Sequence, residues 1–129
     1  MTNIGFMQGR LSSIVDQKIQ AFPWKEWEKE FPRAAEIGFS IMEWTIDFDN
    51  LSSNPIMTHK GRQTIQTLSQ KYNISIPSLT GDCFMQKPFW KESKSNREYK
   101  SYIKLMSSSG AMKIGARCLA RVRWIWNLG

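Results

Sequence analysis

Ser40-Ile-Met-Glu-Trp-Thr-Ile46 decides the fold. Its side chains alternate, with Met42, Trp44 and Ile46 on one face and Ile41, Glu43 and Thr45 on the other, as a strand requires. The bulky apolar set belongs beneath helices, which leaves Glu43 on the opposite face near the strand's C-terminal end. Upstream, a stretch of helical periodicity ends at Gly38, a natural C-cap, and before it runs Ile4-Gly-Phe-Met-Gln-Gly-Arg10. Downstream, a second helical stretch leads into Ile74-Ser-Ile-Pro-Ser-Leu-Thr80 and then Gly81-Asp82-Cys83-Phe84. Strands alternating with helices predict an α/β fold with parallel strands joined by helical crossovers. The expected architecture is a partial (β/α)8 TIM barrel of about three to four βα units. A whole barrel takes ~250 residues, and the chain has 129.

The elements follow from local signals. Strand one is expected over about Asn3–Met7, delivering Gln8, Gly9 and Arg10 to its end. The first helix is expected to open at Pro23, which suits a first turn, and to bury Trp24, Trp27, Phe31, Ala34, Ala35 and Ile37 as one stripe. Pro32 within that stripe predicts a kink or two short helices. Residues 50–58 read as a loop rich in Ser, Asn and Pro. The second helix is expected over about His59–Tyr72, with Ile65, Leu68 and Tyr72 inward and Asn73 as cap. Pro77 limits strand three, since proline is tolerated only near a strand end or at a bulge. A third helix is expected around Ser95–Met106.

Composition places the chain among globular domains, with 41% hydrophobic and 12% aromatic residues. Cys83 and Cys118 lie far apart, outside any C-x-x-C arrangement, and read as two thiols of a reducing compartment. No signal-peptide pattern and no apolar run of ~18 residues is found, so a cytoplasmic location is expected. The net charge of +7 is uneven. Acids and bases nearly balance up to Gly61, whereas Arg and Lys dominate afterwards, from Lys87 to Arg123. A basic half attracts phosphates, but no nucleic-acid motif accompanies it, and a solvated helix face with a basic tail is the plainer expectation.

Several segments in order carry a resemblance. Met7-Gln8-Gly9-Arg10-Leu11, Phe22-Pro23-Trp24, Glu36-Ile37-Gly38 with Ile41-x-Glu43-Trp44, Asn54-Pro55, and Ser78-Leu79-x-x-Asp82-x-Phe84 together resemble sugar phosphate isomerases/epimerases. These belong to the xylose-isomerase-like barrel superfamily, which also holds apurinic endonucleases of the same fold. The resemblance spans about Asn3–Trp90 and rests on the order and spacing of the motifs. It implies a metal-dependent rearrangement of a sugar or sugar phosphate. A divalent metal (Mn, Mg or Zn) would polarise adjacent oxygens while a carboxylate moves a proton α to the carbonyl. In that family the metal ligands and catalytic glutamates come from later strands, so no metal is expected to bind this chain tightly. The substrate-binding residues it implies are Gln8 and Arg10 after strand one, Glu43 after strand two, and Ser78 and Asp82 after strand three.

Each has a plainer structural alternative. Arg10 and Glu43 could form an ion pair across the barrel mouth, and Asp82 could be a turn or cap residue. His59 starts a predicted helix beside Thr58 and Lys60 and reads as exposed. Cys83 reads as a small buried side chain, and Trp24, Trp27 and Trp44 as core.

The barrel-like portion is expected to cover residues 1–117. Residues 118–129, Cys118-Leu-Ala-Arg-Val-Arg-Trp-Ile-Trp-Asn-Leu-Gly129, form an atypical tail alternating basic and apolar residues, the pattern of a shifted or shortened reading frame. The functional expectation is the N-terminal part of a metal-dependent sugar (phosphate) isomerase/epimerase, inactive alone, with sugar or sugar phosphate as the ligand of the completed site. Self-association through open barrel edges is expected, and membrane or nucleic-acid partners are not. The alternative is a basic nucleic-acid-binding module using Trp124 and Trp126 as stacking platforms, or a non-catalytic interaction module.

Overall fold

The computed structural model describes residues 4–18 and 21–86. Three parallel strands, β1 (Gly5–Met7), β2 (Ile41–Thr45) and β3 (Ser75–Thr80), lie side by side in that order. Helix α1 (Glu30–Ile37) links the first two and α2 (His59–Tyr72) the second pair, while a short α3 (Asp82–Gln86) follows β3. This is the α/β alternation read from the sequence.

Parallel partners share a face of the sheet. Met7, Glu43 and Ser78 align on one face, and Phe6 with Met42, then Trp44 with Leu79, on the other. The second face is the helix-covered one: Met42, Trp44, Ile46 and Leu79 are buried with Phe31 and Ala34 of α1 and Ile65 of α2. Aromatic rings tie this layer together. Trp44 lies 5.6 Å from Phe22 and 5.7 Å from Trp27, and Trp27 meets Phe31 edge-on, offset geometries that rings prefer.

Helix α1 is shorter than the sequence suggests. Residues 24–26 form a turn and Trp27–Lys29 a 3-10 turn, and the α-helix begins only at Glu30. Pro32 sets that start, because a proline lacking its N–H fits only the first turn. Of the expected stripe, Phe31 and Ala34 are buried, Trp24 and Trp27 pack half-buried against the core from the turns before the helix, and Ala35 and Ile37 are exposed. Gly38 closes the helix at φ 91°, donating to the carbonyls of Ala34 and Ala35. Helix α2 has the bounds read from the sequence. Thr58 caps it by accepting from the Gly61 amide, and Asn73 ends it in the left-handed conformation. Pro77 sits inside β3, where register slips by one residue: Ile41 pairs Ser75, but Glu43 pairs Ser78. The bulge around Ile76 and Pro77 accommodates the missing donor.

No helix among the described residues is long and apolar enough to cross a membrane. The expected third helix, the basic stretch from Lys87, Cys118, and the tail with Trp124 and Trp126 lie outside the described residues.

Candidate functional site

In open parallel sheets, ligands bind beyond the C-terminal ends of the strands. Gln8, Glu43, Ser78 and Asp82 gather at that end of this sheet. Gln8 leaves β1 with its amide donating to the Glu43 carbonyl at 2.9 Å. Its side chain is buried against β2, where Oε1 accepts from the Thr45 amide at 3.0 Å. The Thr45 hydroxyl returns a bond to the Gln8 carbonyl at 3.1 Å. Gln8 thus extends the β1–β2 ladder past its last strand pair, and its Nε2 is left buried without an acceptor. Glu43 and Ser78 are register partners and half-buried.

Asp82, the first residue of α3, is 8% exposed. Burial holds its carboxyl above the ordinary aspartate value, and repulsion from Asp47 and Glu43 pushes the same way. A carboxyl that keeps its proton longer than usual, at the C-terminal end of a parallel sheet, is chemically suited to exchange protons with a ligand hydroxyl.

Arg10 is exposed on the loop after β1. The ion pairs among the described residues join Lys18 to Asp49 and Glu26 to Lys29 and Arg33, and the suggested pairing of Arg10 with Glu43 does not form. His59 is exposed, and Cys83 is buried with its amide donating to the Ile46 carbonyl.

The structure also brings forward residues whose role the sequence does not disclose. Asp47, one residue past Ile46, accepts from the Phe22 amide through Oδ2 at 2.7 Å and from Gln86 Nε2 through Oδ1 at 3.2 Å. It thereby ties the segment before α1 and the last residue of α3 to the end of β2. Beside it opens a cavity of ≈ 340 Å³, whose walls include Phe22, Trp24, Lys18, Asp47 and Asp49. Asn54 is buried, accepting from the Trp44 indole at 3.1 Å and from the Ile56 amide at 3.2 Å, and so fixes the loop after β2.

The loop after β1 is held by acids of the α1 segment. Glu30 is fully buried, and both its oxygens accept from the Gly9 amide, at 2.8 and 3.0 Å, while Oε1 also takes the Leu11 amide at 3.0 Å. Glu26 accepts from the Ser13 amide at 3.0 Å. Arg33 bonds the Leu11 carbonyl at 2.6 Å and pairs with Glu26 at 3.4 Å. Gly9 turns at φ 92°, and a Cβ there would lie 2.8 Å from the Ala21 carbonyl oxygen, so the tight turn admits only glycine. The Ser13 amide, together with Arg33, holds the Glu26 carboxyl down at about 2. Glu30 goes the other way: burial raises it, against the opposing pull of the Gly9 and Leu11 amides, the Ser12 hydroxyl and Arg33.

Among the described residues, no group of three His, Cys, Asp or Glu side chains is placed to hold a metal ion. Comparison with protein-family models, curated proteins and solved structures finds no match to this chain.

Proposed function

We propose that these three βα units are the N-terminal part of a barrel enzyme that isomerises or epimerises a sugar or sugar phosphate, with a divalent metal. The observation that carries this reading is the convergence of Gln8, Glu43, Ser78 and Asp82 at the C-terminal ends of successive parallel strands, where barrel enzymes keep their chemistry. None of these four residues lines the cavity beside Asp47, but it lies next to them, since the Asp47 charge acts on Asp82. The partly exposed ring of Trp24 with the Asp47 and Asp49 carboxylates alongside suits a polyol, whose C–H face packs on rings and whose hydroxyls donate to acids. The unpartnered Gln8 Nε2 is a buried donor that an enclosed water would satisfy. The described strand ends do not compose a metal centre, so no step is derived through one.

In this reading Asp82 and Glu43 accept hydrogen bonds from sugar hydroxyls, Asp82 is the group that exchanges a proton, and Ser78 and Gln8 orient the ligand. Without a metal-binding set on these strands, the chain binds sugar but does not turn it over. Titration with pentulose and hexulose phosphates, with Mn²⁺ or Mg²⁺ added and product followed over time, tests both halves. The expected result is displacement of the Glu43, Ser78 and Asp82 resonances without product. Turnover would overturn the claim of incompleteness, and resonances unmoved by every sugar would remove the sugar reading itself.

A further inference from the structure

A sugar bound at this end of the sheet meets carboxylates wherever it lies. Glu43 and Asp82 stand at the strand ends, and Asp16, Asp47 and Asp49 line the adjoining cavity. Lys18 is the one cation on the cavity wall among the described residues, and its ammonium pairs with Asp49 at 3.8 Å. Arg10 is exposed and does not line the cavity. The backbone amides that could cradle an anion are taken as well. A glycine turn after a strand is a common place for amides to receive a phosphate. Here Glu30 occupies the Gly9 and Leu11 amides, Glu26 that of Ser13, and Asp47 that of Phe22. Cys83, at the start of α3, gives its amide to the Ile46 carbonyl. The protein's own acids thus sit on the amides that a phosphate would need.

A phosphate ester is close to a dianion at neutral pH. Carboxylates around it repel it, whereas neutral hydroxyls donate to the same carboxylates. We propose that the site selects an unphosphorylated polyol, because the carboxylates that accept its hydroxyls repel a phosphate group. This selectivity rests on the sugar reading above and narrows it from sugar or sugar phosphate to the free sugar. The C–H face of the polyol lies on Trp24, and its hydroxyls meet Asp47 and Asp49 in the cavity and Glu43 and Asp82 at the strand ends. The field there is already negative: burial first, and then repulsion from Asp47 and Glu43, holds the Asp82 carboxyl above its ordinary value. Asp49 offers a way to weaken that field without touching the core, since its side chain is 77% exposed and its removal frees Lys18.

Titration of the intact chain with D-fructose and with D-xylulose, each against its terminal phosphate ester, tests it through the Glu43, Ser78 and Asp82 amide resonances. The free ketose should displace them at a concentration about tenfold or more below that of its ester, the order expected from one close like-charge contact. Added salt should narrow the gap, since screening weakens repulsion. Asp49→Asn should narrow it too, by removing one acid and releasing the Lys18 ammonium. Inorganic phosphate alone should leave the three resonances in place, although the chain as a whole carries a charge of +7, and would overturn the proposal if it moved them. An ester that binds as tightly as its free ketose, or more tightly, would overturn the proposal and leave the sugar reading standing. A gap indifferent to both salt and Asp49→Asn would also overturn it, because charge would then play no part. Resonances unmoved by ketose and ester alike would remove the sugar reading, and this selectivity with it.

Discussion

At the scale of single residues, the sheet's C-terminal end joins groups that hold the fold to groups that strain it. Gln8 is of the first kind. Replacing it with leucine keeps the volume but strips the Thr45 amide of its acceptor, and a buried orphan donor costs about 1–3 kcal/mol. Urea unfolding of Gln8→Leu should show a loss of that size. Asp82 is of the second kind, a buried carboxyl facing Asp47 and Glu43. Asp82→Asn removes the like-charge repulsion and the cost of burying a charge. The variant should therefore be more stable than the parent at neutral pH, by about 1 kcal/mol or less, and under the proposed function it should lose the response of this end of the sheet to sugars. A gain in stability with a loss of function is the mark of a group kept for chemistry, and a destabilised Asp82→Asn would count against that role.

At the scale of elements, the α1 segment carries two acids that respond to pH in opposite senses. Glu26 lies near 2 in the fold, below its value in the unfolded chain. Its contribution is complete at neutral pH and fades as pH falls from the ordinary glutamate range toward 2. Glu30, like Asp82, lies above its unfolded value, so each favours the fold at low pH and loses that contribution as pH rises through the folded value. Thermal midpoints measured against pH should pass through a maximum on the weakly acid side of neutrality, and in Glu26→Gln the decline at the acid end should shrink. The contact between α2 and the turn before it gives a sharper test. A Cβ on Gly61 would fall 2.1 Å from the Pro55 carbonyl oxygen, and backbone cannot yield as a side-chain tip can. Gly61→Ala should destabilise by about 2–3 kcal/mol, although alanine is the better helix former, and a stabilised variant would show that the turn moves. Such contacts mark the limit of what the sequence discloses. The bounds of α2 are legible because Thr58 and Asn73 are caps whose chemistry is local. The faces of β2 are legible because alternation is local too. The closeness of Gly61 to Pro55, the reach of Glu30 back across 21 residues to Gly9, and the role of Asp47 as a tie all depend on how distant segments dock. Gln8 and Asp82 could be placed at strand ends from the order of elements, but that Gln8 turns its carbonyl onto the Thr45 amide is a matter of side-chain direction that periodicity does not carry.

At the scale of the whole molecule, the outer edges of the sheet govern association. Among the described residues β1 and β3 each pair only with β2, leaving two rows of backbone groups able to recruit another strand. The edges are unequal. β3 carries Pro77, which has no N–H to offer, and a bulge that interrupts its register, two devices that blunt an edge. β1 has neither, and Ile4, 57% exposed, stands just before it. We propose that self-association, where it occurs, runs through β1, the edge that a closing strand would cover in a full barrel. Sedimentation of the chain over a concentration series should then show a reversible dimer. Ile4→Lys should shift it toward monomer, since a lysine at a strand edge opposes pairing. Ser75→Lys on β3, also exposed, should leave the equilibrium where it was. If the two variants exchange these behaviours, the bulge at Pro77 does not protect its edge, and the asymmetry drawn from it fails. If neither variant moves the equilibrium, the contact lies on a helix face and the sheet edges are not the adhesive surface.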